Sequence, residues 1–181
     1  AAREIFEYVL RDMRSPEGAF YSAEDADSAP DATRPKEKRE GAFYVWSEEE
    51  IVRSLGKDKA EIFNFHFGVR SDGNAPEDPQ GEFQSKNILY LAHTVAETAK
   101  KFGKTEGEVE QIITDSKSTL ARVRTGRLRP HLDDKVLVDW NGLMISSLAF
   151  GSRVLRDSRY RDAAKRAAEF LLKTLKTKEG C

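Results

Sequence analysis

Two separate stretches of the chain carry polar side chains of the kinds that bind ligands and transfer protons. The later stretch, Arg129 to Met144, contains three Asp, one His, one Trp and one Asn ahead of an apolar segment. The earlier stretch, residues 18–28, reads Gly-Ala-Phe-Tyr-Ser-Ala-Glu-Asp-Ala-Asp-Ser. Polar loops at the edge of a rigid scaffold are where binding and catalysis concentrate. Together the two stretches indicate a carbohydrate-type site.

Carboxylates are the first candidates for catalysis in both stretches. Crowded carboxylates repel one another, so we expect at least one raised pKa, which suits a general acid. The candidate catalytic residues are Asp139, Asp134, Glu24, Asp25 and Asp27. Structural roles stay open, because the earlier acids could cap a turn or pair with the basic loop 34–39. Likewise, Asp139 could be the N-cap of the helix that follows it.

Aromatic and hydrogen-bonding side chains near these acids are candidate sugar contacts. Aromatic rings present an apolar face on which a sugar can stack, and a neutral His can donate or accept a hydrogen bond. The candidate substrate-binding residues are Trp140, Asn141, His131, Asp133, Tyr21, Tyr44 and Trp46. Core packing explains the aromatic residues equally well, and His131 could be plain polar surface. His66, which lies among three Phe residues, is expected at the edge of a core.

Composition and motifs exclude several classes of function. The formal net charge is −1, so no global field attracts nucleic acid or an anionic membrane. No apolar run approaches the roughly 20 residues of a membrane span. No phosphate-binding loop, dinucleotide fingerprint or zinc-ligand spacing occurs, and we expect no cofactor and no metal. The one cysteine, Cys181, is expected to be a frayed terminal thiol, and a reducing, cytoplasmic location is favoured.

Helical periodicity dominates the elements that must position these residues. Helices are predicted over residues 5–13, 47–55, 57–67, 88–102, 105–123, 140–155 and 160–175. Ser47 and Thr105 each open a capping box, and the short turn after residue 155 makes the last two helices antiparallel neighbours. The runs 18–21 and 41–46 both begin Gly-Ala-Phe-Tyr and are predicted to be a pair of strands. The expected fold is mainly α, built from helical hairpins, with a small β hairpin near residues 19–46.

The order and spacing of five motifs resemble one known family. They are GAFYSAEDADS at 18–28, EGAFYVW at 40–46, FHFGV followed by GN at 65–74, KNIL at 86–89 and RPHLDDKVLVDWNGLMI at 129–145. This combination resembles the spermatogenesis-associated protein 20 family, also called DUF255. Its members are similar in carrying a thioredoxin-like domain followed by a large (α/α)6 toroid of the six-hairpin glycosidase class. The resemblance implies that residues 1–181 are one partial toroid domain, excised without the thioredoxin-like domain and the remaining hairpins.

The resemblance implies two functions of different kinds. One is a carbohydrate-active domain, which binds sugar and is glycosidase- or epimerase-like. An inverting hydrolase needs two carboxylates roughly 6.5–9.5 Å apart. An epimerase needs a base that is usually His, and the chain has only three His. The other function is a noncatalytic toroid that binds a ligand or partner beside the thioredoxin-like domain. In either case, a partial toroid is expected to expose apolar helix faces and to self-associate.

Overall fold

The computed structural model describes residues 1–31, 33–75 and 81–176. Within these ranges the helices are α1 (Ala2–Asp12), α2 (Glu48–Leu55), α3 (Lys57–His66), α4 (Val95–Phe102), α5 (Glu106–Thr125), α6 (Val138–Leu155) and α7 (Ser158–Thr174). The strands are β1 (Ala23–Glu24), β2 (Asp27–Ser28), β3 (Arg39–Glu40) and β4 (Leu132–Asp133). The mainly helical fold class is confirmed. The expectation for Cys181 lies outside the described residues.

The strands form two antiparallel ribbons, β1 with β4 and β2 with β3. The β2–β3 ribbon is the small hairpin expected near residues 19–46. Its strands do not lie in the two Gly-Ala-Phe-Tyr runs, so that assignment was wrong. Phe20 makes only an isolated bridge, and residues 41–44 form a turn. Gly41 allows this turn with a φ of 65°, and its carbonyl accepts the amides of Tyr44 and Val45.

Local capping signals fix where several helices begin. The capping boxes predicted at Ser47 and Thr105 are confirmed. The predicted start of α4 near residue 88 was wrong, because the helix begins at Val95. Thr94 and Glu97 form a third capping box there, in which each side chain accepts the backbone amide of the other residue. Among the described residues, no helix is both long and apolar enough to cross a membrane.

The chain divides into two compact units, which we call unit 1 (Ala1–Asp25 and His131–Cys181) and unit 2 (Ala26–Pro130). The core of unit 1 joins α1, α6 and α7 around the fully buried Leu148 and Tyr160. At Gly151 of α6 no Cβ would fit, because the ring of Phe6 fills that space. This close approach binds α1 to the antiparallel α6–α7 hairpin. Unit 2 has two cores, one around Ile51 and Phe63 and the other around Val109.

His66 was expected at the edge of a core, and it is buried within unit 2. Its side chain is 4% exposed, and its Nδ1 atom lies 3.3 Å from the hydroxyl of Thr98. Burial, together with the nearby charges of Lys117 and His93, lowers the pKa of His66 from its ordinary value of 6.5. The folded protein therefore binds a proton at His66 less readily than the unfolded chain does.

This depressed pKa predicts a pH-dependent stability. The free energy of unfolding should be highest above pH 6.5 and should fall as the pH drops below 6.5 through the folded pKa of His66. Urea unfolding at a series of pH values measures this slope, which His66→Gln should reduce. His131→Gln is the control, because His131 is exposed and its replacement should leave the slope unchanged. Identical slopes in wild type and His66→Gln would contradict the prediction.

Candidate functional site

The β1–β4 ribbon lies in unit 1 and joins the two polar stretches found in the sequence. Ala23 pairs with Asp133, and Glu24 pairs with Leu132. At the loop end of the ribbon, the Asp25 amide donates to the His131 carbonyl over 2.8 Å. Residues that are more than a hundred positions apart in the chain therefore lie side by side.

One face of the ribbon is turned towards the core of unit 1. Cross-strand partners lie on the same face, so Glu24 and Leu132 are on this side together. Leu132 packs against the unit 1 core, and the Glu24 carboxylate accepts a hydrogen bond from the Tyr8 hydroxyl over 2.7 Å. Glu24 is therefore anchored to α1, a contact that no local sequence signal predicts.

The opposite face of the ribbon carries three of the other polar candidates, Asp25, His131 and Asp133. Side chains alternate between the faces of a strand, so Ala23 and Asp133 lie on this second face. The same register, continued by one residue, places Asp25 opposite His131 there, and both residues are exposed. Directly opposed Cβ atoms are about 5 Å apart and diagonal neighbours about 7–8 Å. Asp25, His131 and Asp133 are thus close enough to contact one small ligand.

Asp133 is held in its charged form. The Lys135 Nζ atom lies 3.1 Å from one carboxylate oxygen, and the Lys135 amide donates to the other over 3.3 Å. These hydrogen bonds from Lys135, with a further one from Ser22, hold the pKa of Asp133 below its ordinary range. Asp133 is therefore an acceptor at neutral pH and not a general acid. Lys135 lies only two positions from Asp133 in the chain.

The N-terminus of α6 presents two further candidates to solvent. Asp139 lies in the first turn and is exposed, and Trp140 is 50% exposed. The alternative that Asp139 is the N-cap was wrong, because Leu137 occupies that position and makes no side-chain cap. Within the described part of the chain, the carboxylates of Asp134 and Asp139 have no hydrogen-bond or ion-pair partner. Both acids are therefore available to a ligand.

Asn141 holds the earlier polar stretch against α6. Its side chain is 1% exposed. The Asn141 Oδ1 atom accepts the Phe20 amide over 2.8 Å, and Nδ2 donates to the carbonyls of Phe20 and Leu137 over 2.8 and 2.9 Å. Both amide hydrogens are thus engaged inside the fold. Asn141 thereby holds Phe20 in place. The first hydrogen bond of the ribbon, from the Ser22 amide to the Asp133 carbonyl, follows two residues later.

Three of the sequence candidates belong to unit 2. Asp27 lies in β2 opposite Glu40. Trp46 is only 2% exposed, and the guanidinium of Arg127 lies 4.0 Å from its ring centre. Tyr44 is 41% exposed and packs edge-on against Phe43. The remaining candidates lie in unit 1, where Tyr21 packs against the core. No group of three His, Cys, Asp or Glu in the ranges described is placed to hold a metal ion.

These features define a protein of helical hairpins with a short ribbon that exposes one polar face. The chain is 35% identical to spermatogenesis-associated protein 20 of Homo sapiens, over 94% of this chain and 23% of that protein. It is 36% identical to an uncharacterized protein of Caenorhabditis elegans, over 95% of this chain and 24% of that protein. The Mus musculus spermatogenesis-associated protein 20 is 33% identical over 94% of this chain and 23% of its own length. No family model matches the chain.

Over nearly all of its length, the chain is similar to proteins named spermatogenesis-associated protein 20. It spans about a quarter of the length of the curated relatives that it matches.

Proposed function

We propose that this chain is part of a carbohydrate-active domain that binds a sugar at the exposed face of the β1–β4 ribbon. The observation that carries this proposal is the strand register, which puts Asp25, His131 and Asp133 on one face. Carboxylate oxygens and imidazole nitrogens supply the acceptors and donors that sugar hydroxyls need. The exposed ring of Trp140 is a surface on which a sugar ring can stack.

The same arrangement favours hydrolysis with inversion within this proposal. Asp25 and Asp133 are diagonal neighbours across the ribbon, so their backbone positions are about 7–8 Å apart. Inverting glycosidases hold the carboxyl groups of their acid and base roughly 6.5–9.5 Å apart, a separation that two side chains on such backbone positions can reach. Asp133, held ionised by Lys135, is suited to be the base, which assigns the role of acid to Asp25 within this proposal. Asp134 and Asp139 are the alternative carboxylates for the role of base.

Sugar binding is tested by replacing the carboxylates that the proposal uses. Asp25→Asn and Asp139→Asn should each weaken the binding of a neutral mono- or disaccharide about tenfold, because one charged hydrogen bond is lost. Calorimetric titration with a panel of such sugars measures the affinity.

Asp58→Asn is the matched control for Asp139→Asn. Asp58 is the second residue of α3, as Asp139 is of α6, and neither helix has a side-chain cap. Both substitutions therefore remove the same helix-dipole interaction, worth roughly 0.3–1 kcal/mol. Only Asp139→Asn should alter sugar affinity. If no sugar binds, or if the two variants bind alike, the carbohydrate proposal fails.

A second function, as a noncatalytic partner-binding toroid, is favoured by the outer face of α6. Trp140, Leu143, Phe150 and Val154 lie along one helical stripe and are 50%, 70%, 69% and 61% exposed. In a complete (α/α) toroid, neighbouring hairpins would cover such a stripe.

A cytoplasmic location, expected from the single cysteine, remains a prediction.

If this stripe lacks its cover, the 181-residue chain should self-associate through it. Phe150→Glu should shift the chain to monomer, because a charge cannot be buried between two apolar faces without a partner. Sedimentation velocity over a range of protein concentrations measures the change. Val123→Glu, at an exposed apolar position of α5 in unit 2, should not alter the association. A wild-type chain that is monomeric at every concentration contradicts this prediction.

A further inference from the structure

Unit 1 also contains a charged groove of about 340 Å³ that lies apart from the residues of the ribbon. Residues of α1 and the segment just after it line one side, and residues of α7 line the other. The charged residues of this α1–α7 groove are Glu7, Arg11, Arg14, Arg159, Asp162 and Arg166. Positions 7 and 11 of α1, like positions 159, 162 and 166 of α7, follow helical spacing along one face, and Arg14 lies just after α1. Four arginines thus surround a space that contains only two acids.

Both acids of the groove already have cationic partners. Arg159 Nη2 lies 2.7 Å from the Glu7 carboxylate. Arg161 Nη2 lies 2.9 Å from the Asp162 carboxylate. Since these charges are compensated, neither acid is left to neutralise the remaining arginines of the groove.

Arg14 and Arg166 are the arginines without compensation. Arg11 is paired with its neighbour Asp12. For the guanidinium groups of Arg14 and Arg166, in contrast, no hydrogen-bond acceptor or ion-pair partner exists among residues 1–31, 33–75 and 81–176. Two cationic side chains that line one groove repel each other, and an anion bound between them would relieve this repulsion.

The backbone holds both arginines in place. Arg14 forms an isolated antiparallel bridge with Phe20, and Asn141 holds Phe20 from α6. Gly18 lies against Arg166, so that a Cβ at Gly18 would be only 3.0 Å from the Arg166 Cβ. The φ of 109° at Gly18 also disfavours any other residue. The run 18–21 therefore supports both residues, which lowers the cost of ordering them around a ligand.

We propose that the α1–α7 groove binds a small phosphate-bearing anion between Arg14 and Arg166. The planar guanidinium group matches the oxygens of a phosphate in a two-point hydrogen bond, and Arg is the side chain best suited to this contact. The anion is either free inorganic phosphate or the phosphate group of a metabolite. The proposal does not rest on the carbohydrate function of the ribbon.

Calorimetric titration of the 181-residue chain with inorganic phosphate, glucose 6-phosphate and glucose, at one fixed ionic strength, tests the groove. We expect saturable binding of both phosphate compounds. Arg14→Gln and Arg166→Gln should each weaken this binding about tenfold or more, the loss of one charge-assisted contact. Arg153→Gln is the matched control, because Arg153 is an exposed residue of α6 outside the groove and loses the same charge. It should change the affinity less than about twofold.

The outcomes separate the two sources of phosphate. Equal affinity for inorganic phosphate and glucose 6-phosphate identifies free phosphate as the ligand, and tighter binding of glucose 6-phosphate identifies a metabolite. Arg14→Lys and Arg166→Lys, which keep the charge but lose the two-point geometry, should show intermediate affinity. The proposal is overturned if no phosphate compound binds saturably, or if all three Gln variants weaken binding alike.

Discussion

Replacing Asn141 by Ala is expected to lower the free energy of unfolding by about 2–5 kcal/mol, because each buried backbone group left without a partner costs about 1–3 kcal/mol. The Asn141 side chain is the hydrogen-bond partner of both the amide and the carbonyl of Phe20. The substitution leaves both groups without that partner inside unit 1. Ala has the higher helix propensity, which returns at most about 0.7 kcal/mol.

Urea unfolding measures this loss, and Ser147→Ala is its matched control. Ser147 lies on the same helix and is exposed, and its hydroxyl donates only to the Leu143 carbonyl. Ser147→Ala should change stability by no more than about 0.5 kcal/mol. Hydrogen exchange at the Phe20 amide should also accelerate in Asn141→Ala, since that amide loses its acceptor. Similar stability losses in both variants would show that Asn141 does not hold the run 18–21 in place.

Replacing Arg127 by Met should destabilise unit 2 by about 2–4 kcal/mol, the cost of leaving several buried acceptors unsatisfied. The Arg127 Nη1 atom donates to the carbonyls of Val45 and Phe43 over 2.7 and 2.9 Å. The side chain is only 16% exposed, and its guanidinium group covers the ring of Trp46. Met keeps the apolar stem of the side chain but removes every donor.

Arg127→Met should also weaken the acid dependence of stability through Glu50. Burial alone would raise the pKa of Glu50, but the Ser47 amide and the cations of Lys86 and Arg127 together lower it below its ordinary value of 4.5. Stability from Glu50 is therefore fully present above pH 4.5 and is lost as the pH falls through the folded pKa. Without Arg127 this loss should be smaller.

Arg124→Met provides the comparison for both effects. Arg124 lies near the end of α5, and its substitution removes the same charge. The Arg124 side chain contacts the faces of Phe43 and Tyr44 but donates to no backbone carbonyl among the described residues. Urea unfolding of the two variants should show a loss at least about 1 kcal/mol larger for Arg127→Met. Equal losses would mean that the lost charge or the packing of the aliphatic side chain explains the destabilisation, and not the hydrogen bonds to the carbonyls of Phe43 and Val45.

Signals that are local in sequence predicted the helices well. The capping boxes at Ser47 and Thr105 needed only residues three positions apart, so their helix starts were predicted correctly. The same signal at Thr94 was overlooked, because Ile88, Leu89 and Leu91 upstream extend the apolar pattern. Apolar residues indicate burial or contact and do not by themselves distinguish a helix from an extended segment.

The strands depended on contacts that are remote in sequence. The runs 18–21 and 41–46 look alike, yet neither is a strand. Asn141 holds the first run, and Arg127 holds the second, through side-chain bonds to the backbone. The β1–β4 pair joins residues 23–24 to residues 132–133, and each strand is too short to show an alternating pattern. Such pairings are determined by tertiary packing, which the sequence alone does not reveal.

The candidate site was predicted by residue type but not by geometry. Asp25, His131 and Asp133 were identified because of their chemistry, and so was Glu24. The register of the ribbon decides which of these residues share a face. A shift of the pairing by one residue would move each side chain of one strand to the opposite face. With the observed register, Glu24 is turned towards Tyr8, and the other three residues share the exposed face.

The most direct test of the carbohydrate proposal is an NMR titration of the 181-residue chain with the neutral sugar that binds most tightly. Backbone amide signals of residues 22–25 and 131–134 should shift together and saturate at one dissociation constant, because both strands line the same ligand. Asp25→Asn should weaken that constant about tenfold. If the sugar shifts neither strand, or shifts only one while the other stays unchanged, the ribbon is not the sugar site.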